Sequence, residues 1–126
     1  PLACAVALKI LDVIEREKLA DNARTLGGFF ITELSRLGKK YPGVIADMRG
    51  LGLMVGFELK PDIANLPGDQ GKAQSIRFVN LLHAAGLLAI PAGANVIRWL
   101  PPLNLQHREA DEGLQILESV IAKIAA

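Results

Sequence analysis

The sequence predicts an α+β domain, a small and mainly antiparallel sheet with helices packed on one face. Three observations carry this reading. Apolar residues recur at helical spacing in four stretches, and they alternate with period 2 around Val44–Leu59 and Leu87–Leu100. The resulting order, helix, helix, strand, helix, strand, strand, helix, suits one layer of sheet covered by helices. The 126 residues suffice for a single core but are few for a complete enzyme with a large cofactor.

The first helix spans Pro1 to Glu17. Lys9, Asp12 and Arg16 mark its polar stripe, and Leu2, Val6, Leu8, Ile10, Leu11, Val13 and Ile14 occupy most of the remaining circumference. Such a helix is expected to be buried on more than one side. Beginning at a proline with no capping residue ahead of it, it reads as part of something longer. A second helix runs from about Leu19 to Gly38 on the stripe Leu19, Ala23, Leu26, Phe30, Leu34 and Leu37. Gly27 and Gly28 interrupt it at a cost of about 1 kcal/mol each relative to alanine, so packing must compensate or the helix must bend.

From Val44 the period changes to 2, with Leu51, Leu53, Val55, Phe57 and Leu59 on a core face and Gly52, Met54, Gly56 and Glu58 opposite. Glycines at 52 and 56 weaken a strand unless another backbone approaches closely. Gly50-Leu51-Gly52 is no dinucleotide fingerprint, because the third glycine is misplaced and no helix follows to receive a phosphate. Lys60 to Gly71, with Pro61, Pro67, Gly68 and Gly71, reads as an exposed loop and the most mobile segment. A third helix over Lys72–Ala85 buries Ile76, Val79, Leu82 and Phe78 and stops at Gly86. Leu87–Ile90 then reads as a short buried strand ended by Pro91, hairpin-paired with the strand that follows. The last helix spans His107–Ala125 on the stripe Ala110, Leu114, Leu117, Ile121 and Ile124.

That following strand carries the candidate functional residue. In Ala94-Asn95-Val96-Ile97-Arg98-Trp99-Leu100-Pro101-Pro102, two prolines that cannot donate to a ladder end the strand near Leu100. Alternation places Ile97 and Trp99 on one face and Val96, Arg98 and Leu100 on the other. Arg98 therefore emerges near a strand end between aliphatic neighbours. A guanidinium is a rigid fork that matches a carboxylate bidentately, so Arg98 is read as a clamp for an acidic substrate. The plainer alternative is a structural salt bridge or a solvated edge arginine.

Composition narrows the partners. Fourteen basic residues are spread among 13 acidic ones for a net charge of +1, which indicates neither a nucleic-acid footprint nor a basic membrane patch. Apolar residues make up 51% against 21% charged, a balance that implies surface covered by something else. Cys4, the lone cysteine, excludes a disulfide framework and fits a structural thiol in a reducing cytoplasm. The longest apolar run, Leu2 to Leu8, falls far short of the roughly 20 residues of a bilayer span. His83 and His107 lack carboxylate or thiolate neighbours at ligand spacing, so no metal site is expected.

Four motifs converge on one family. Pro1-Leu2-Ala3-Cys4-Ala5, Arg49-Gly50-Leu51-Gly52-Leu53-Met54, Pro91-Ala92-Gly93 and Asn95-Val96-Ile97-Arg98-Trp99-Leu100-Pro101-Pro102-Leu103-Asn104 resemble, in order and spacing, the C-terminal segment of class III pyridoxal-phosphate aminotransferases. The chain is most similar to the acetylornithine branch, with ornithine aminotransferases close behind. The resemblance implies that residues 1–126 are the small C-terminal domain of a fold-type I enzyme, usually a homodimer, with 1–17 joining a larger cofactor domain. It implies that Arg98 binds the α-carboxylate of the amino-acid substrate and of 2-oxoglutarate in turn.

The same resemblance places the Schiff-base lysine, the acidic partner of the cofactor's pyridine nitrogen and the phosphate-binding turn upstream of Pro1. None of Lys9, Lys18, Lys39, Lys40, Lys60, Lys72 or Lys123 stands in an equivalent motif. The chain alone is thus expected to bind no pyridoxal phosphate and to be inactive, with no catalytic or cofactor-binding residue of its own. Relatives often carry Ser or Thr at Gln106, which implies a weaker helix cap here, and Arg49 is read as structural. The implied parent is cytoplasmic and moves the δ-amino group of N-acetylornithine to 2-oxoglutarate in arginine biosynthesis. Ornithine, succinylornithine, 4-aminobutyrate and diaminobutyrate remain alternative donors, and a stand-alone carboxylate-binding regulatory module remains an alternative class.

Overall fold

Helix α1 (Leu2–Arg16) runs into α2 (Leu19–Lys40) through Lys18, whose left-handed φ of 51° redirects the chain. The computed structural model describes residues 1–125; Ala126, the last residue of the domain read from the sequence, lies outside them. After α2 come β1 (Ile45–Leu51), β2 (Met54–Leu59), α3 (Gln74–Ala84), β3 (Ile90–Pro91), β4 (Val96–Trp99) and α4 (His107–Ala125). The strands form one sheet in the order β1-β2-β4-β3, antiparallel at every pairing. Helices α2, α3 and α4 pack on one face around a continuous core, which bears out the predicted class.

The core follows from the stripes. Leu26, Phe30, Leu34 and Leu37 of α2 meet Val55, Phe57 and Leu59 of β2, Ile97 and Trp99 of β4, and Leu114, Leu117 and Ile121 of α4, all buried. Each contributes about 1.5–3 kcal/mol on full burial. Phe30, Phe57 and Trp99 form an edge-to-face cluster with ring centroids 5.4–6.0 Å apart, the geometry the ring quadrupoles favour. Among the described residues the buried Trp99 indole N–H has no hydrogen-bond acceptor.

Several local expectations are corrected. The stretch from Val44 to Leu59 is two strands, not one. Gly52 and Leu53 form a two-residue turn, with Gly52 at φ +55° as the first central position of a type II′ hairpin turn requires. The hairpin puts Leu51 at 84% exposure while Leu53 is buried. The predicted strand over Leu87–Ile90 shrinks to Ile90–Pro91, a two-residue edge strand that is exposed rather than buried, where a proline is tolerated. Its hairpin pairing with β4 is as expected. In α3, Ile76 faces outward and Ser75 and Arg77 are buried in its stead.

The Lys60–Gly71 loop is more tightly held than its composition suggests. Ile63 and Leu66 enter the core, and the Arg77 guanidinium donates to the carbonyls of Leu66 and Pro67 and to the Gln70 side chain. Helix α1 has no buried residue among those described, contrary to the expected burial on several sides; Leu2 is 80% exposed and Leu8 68%. The Gln106 side chain leaves α4 uncapped, but the Glu109 carboxylate accepts the Gln106 N–H at 2.8 Å, half of a capping box.

The two glycines of α2 have opposite roles, and the helix does not break at either. A Cβ on Gly27 would collide with the Gly52 carbonyl and lie 2.8 Å from the Gly52 Cα, so glycine there lets the helix touch the hairpin turn backbone to backbone. Gly28 faces open space. Gly27→Ala should therefore destabilise by about 1–3 kcal/mol through overpacking, whereas Gly28→Ala should stabilise by about 0.5–1 kcal/mol. Urea denaturation of the pair checks this, and equal effects would refute the close approach.

Across α2 and α4, Glu118 accepts from Arg36 at 2.9 Å and from Lys40 at 2.7 Å. The Arg36 hydrogen bond, then that of Lys40, holds the Glu118 carboxyl below its ordinary value of 4.5. A carboxyl depressed in the folded state stabilises above its unfolded pKa and loses that contribution as pH falls through the folded one. Glu118→Gln should thus lower the melting temperature at neutral pH and narrow the gap to the parent as pH drops below 4.5. A gap that stays constant with pH would exclude the linkage.

Candidate functional site

Arg98 is the third residue of β4, and the expected alternation holds around it. Ile97 and Trp99 are buried, while Arg98 and Leu100 are exposed on the face that carries no helix. Pairing with β2 fixes this orientation, with Val55 opposite Trp99, Gly56 opposite Arg98 and Phe57 opposite Ile97. On the far side Ile90 stands opposite Arg98. Among the described residues the Arg98 side chain makes no hydrogen bond or ion pair. The salt-bridge alternative is therefore not what this chain shows, and the guanidinium is available to an outside acceptor.

The surroundings hold β4 at both ends. Before it, Ser75 is fully buried and donates to the Gly93 carbonyl at 2.6 Å, and Gln74 donates to Asn95 Oδ1 at 3.2 Å. After it, the Asn22 amide donates to the carbonyls of Leu103 and Leu105 at 2.7 and 3.0 Å, pinning the segment beyond the two prolines to α2. Sequence reading missed Ser75, Gln74 and Asn22, because hydrophobic periodicity is blind to polar residues that grip a turn. Between these anchors Arg98 borders an open groove of about 610 Å³ with Leu88, Ile90, Leu100, Pro102 and Glu109.

The open face holds a second cluster. Arg49 on β1 pairs with Asp47 at 2.8 Å and Glu58 at 3.3 Å, and these bonds, Asp47 first, raise its pKa. The exposed groups Leu51, Met54 and Leu100 lie alongside, and Leu103, Val6, Ile10, Val13 and Leu19 line a further apolar depression against α1.

All seven lysines are exposed. Among the described residues no three His, Cys, Asp or Glu side chains group to hold a metal ion, and no helix is long and apolar enough to cross a membrane. His83 contacts the Ala89 backbone and His107 pairs with Asp111. Cys4 is exposed on α1 rather than packed as a structural thiol.

Comparison with known proteins identifies the family. The profile of the family described as Aminotransferase class-III matches residues 1–121. The chain is 39% identical to acetylornithine aminotransferase of Thermosynechococcus vestitus over 126 residues, all of this chain and 29% of that one. It is 37% identical to succinylornithine transaminase of Photorhabdus laumondii over 98% of its length and 28% of that protein's. The crystal structure of acetylornithine aminotransferase from Elizabethkingia anophelis superposes with a TM-score of 0.86 at 32% identity, covering 98% of this chain and 29% of that one. The chain thus spans under a third of the length of these relatives. With the profile running almost from end to end and the fold shared at that identity, the chain belongs to the class III aminotransferase family.

Proposed function

We propose that residues 1–126 form the C-terminal small domain of a class III aminotransferase in which Arg98 clamps the α-carboxylate of each substrate. The observation that carries this reading is the guanidinium on the open face of the sheet, which stands opposite Gly56 with no acceptor among the described residues. 

Class III aminotransferases use pyridoxal phosphate. In this proposal the cofactor is held by a larger domain outside this chain, reached through α1, whose exposed Leu2, Val6, Leu8, Ile10 and Leu11 supply apolar surface for that contact. The assembled enzyme is a cytoplasmic homodimer that transfers the δ-amino group of N-acetylornithine to 2-oxoglutarate in arginine biosynthesis. Its relatives named for acetylornithine support that donor. The same exposed helix speaks against a stand-alone regulatory module, which would need a polar first helix.

Arg98 contributes by positioning. A bidentate guanidinium fixes a carboxylate in plane and in register, which orients the bound substrate for reaction without any proton passing through the arginine. Both the amino donor and the 2-oxo acid carry an α-carboxylate, which adjoins the reacting carbon in 2-oxoglutarate and lies at the far end of the chain from the reacting δ-carbon in N-acetylornithine, so the same guanidinium holds each substrate in turn.

In the full-length enzyme Arg98→Ala should raise KM about 10- to 100-fold for both N-acetylornithine and 2-oxoglutarate, the scale of a lost charged hydrogen bond, while the visible absorbance of bound cofactor persists. Unchanged KM for both substrates would remove the clamp. Ranking kcat/KM over N-acetylornithine, ornithine, succinylornithine, 4-aminobutyrate and diaminobutyrate tests the donor, and a higher value for any of the last four would reassign it.

A further inference from the structure

Four charged side chains share the open face of the sheet, Asp47 and Arg49 on β1, Glu58 on β2 and Arg98 on β4. The register arranges them around one glycine. Gly56 lies opposite Arg49 across the β1–β2 ladder and opposite Arg98 across the β2–β4 ladder, so the row between the two arginines carries no side chain. The backbone does not demand glycine there, since a Cβ on Gly56 would meet nothing nearer than the Ile97 carbonyl oxygen at 3.6 Å.

Glu58 lies two residues beyond Gly56 and on the same face, which makes it a diagonal neighbour of Arg49 and of Arg98 alike. Diagonal neighbours are about 7–8 Å apart, within reach of long side chains. By register alone the two arginines share this carboxylate. In the structure Arg49 holds it at 3.3 Å together with Asp47 at 2.8 Å, and Arg98 is left without a partner among the described residues.

We propose that Arg49 is a positioning residue for the carboxylate site: by engaging Glu58 and Asp47 it keeps an internal carboxylate off Arg98. The inference rests on the reading of Arg98 as a carboxylate clamp. Without Arg49, two carboxylates face a single guanidinium on this surface. Glu58 then competes with the substrate from a tethered position, and the excess negative charge repels an incoming anion.

Steady-state kinetics of the full-length enzyme test this with Arg49→Ala, Glu58→Gln and the double variant. Arg49→Ala should raise KM about fivefold for both carboxylate substrates, the scale on which an exposed ion pair competes, with kcat changed by less than about twofold. Glu58→Gln alone should leave KM unchanged, and adding it to Arg49→Ala should restore KM to within about twofold of the parent. An unchanged KM in Arg49→Ala, or a KM equally raised in the single and double variants, would overturn the proposal and leave Arg49 a structural residue. Should Arg49→Ala fail to fold, Arg49→Met keeps the aliphatic stem and carries the same readout. Arg98→Ala separates the two levels: if it raises KM and Arg49→Ala does not, this inference alone falls, and if it leaves KM unchanged, the clamp itself falls.

Discussion

The register between β2 and β4 is the constraint on which the rest depends. With Phe57 opposite Ile97 and Val55 opposite Trp99, four apolar side chains point into the helices, and Gly56 and Arg98 point away. A slip of one residue would exchange the faces, burying a guanidinium and exposing an indole. The aromatic contacts of Trp99 with Phe30 and Phe57 work against that slip, so the same cluster that anchors the core also aims the arginine.

The sheet is covered on one side only, and this asymmetry explains the surface. The helix-bearing face is sealed closely enough that α2 meets the hairpin turn through Gly27 and Gly52 with no side chain between. The opposite face presents Leu51, Met54 and Leu100 beside two arginines, and α1 adds a row of exposed leucines and isoleucine. The chain spans under a third of the length of these relatives.

Charge on the open face is balanced, two arginines against two carboxylates, but the balance is local. Arg49 absorbs both carboxylates and Arg98 neither. Partnership is set by which strand positions are diagonal neighbours and which side chain is already engaged, and neither can be read from net charge.

The sequence by itself determined the α+β class, the four helices, the β4 alternation and the end of that strand at Pro101-Pro102, because helical and strand periods are local properties of the chain. It also singled out Arg98, since an arginine inside an apolar period-2 stretch is conspicuous without coordinates. It did not separate β1 from β2, because five apolar residues in alternation look like one strand until the turn at Gly52 is seen to reverse the chain. Only the tertiary structure decided which residues of different strands stand opposite one another, that Gly27 faces Gly52, that Ser75 and Gln74 grip the turn before β4, and that Arg49 rather than Arg98 holds Glu58. Those are relations between segments distant in sequence, and packing and register fix them where no local pattern can.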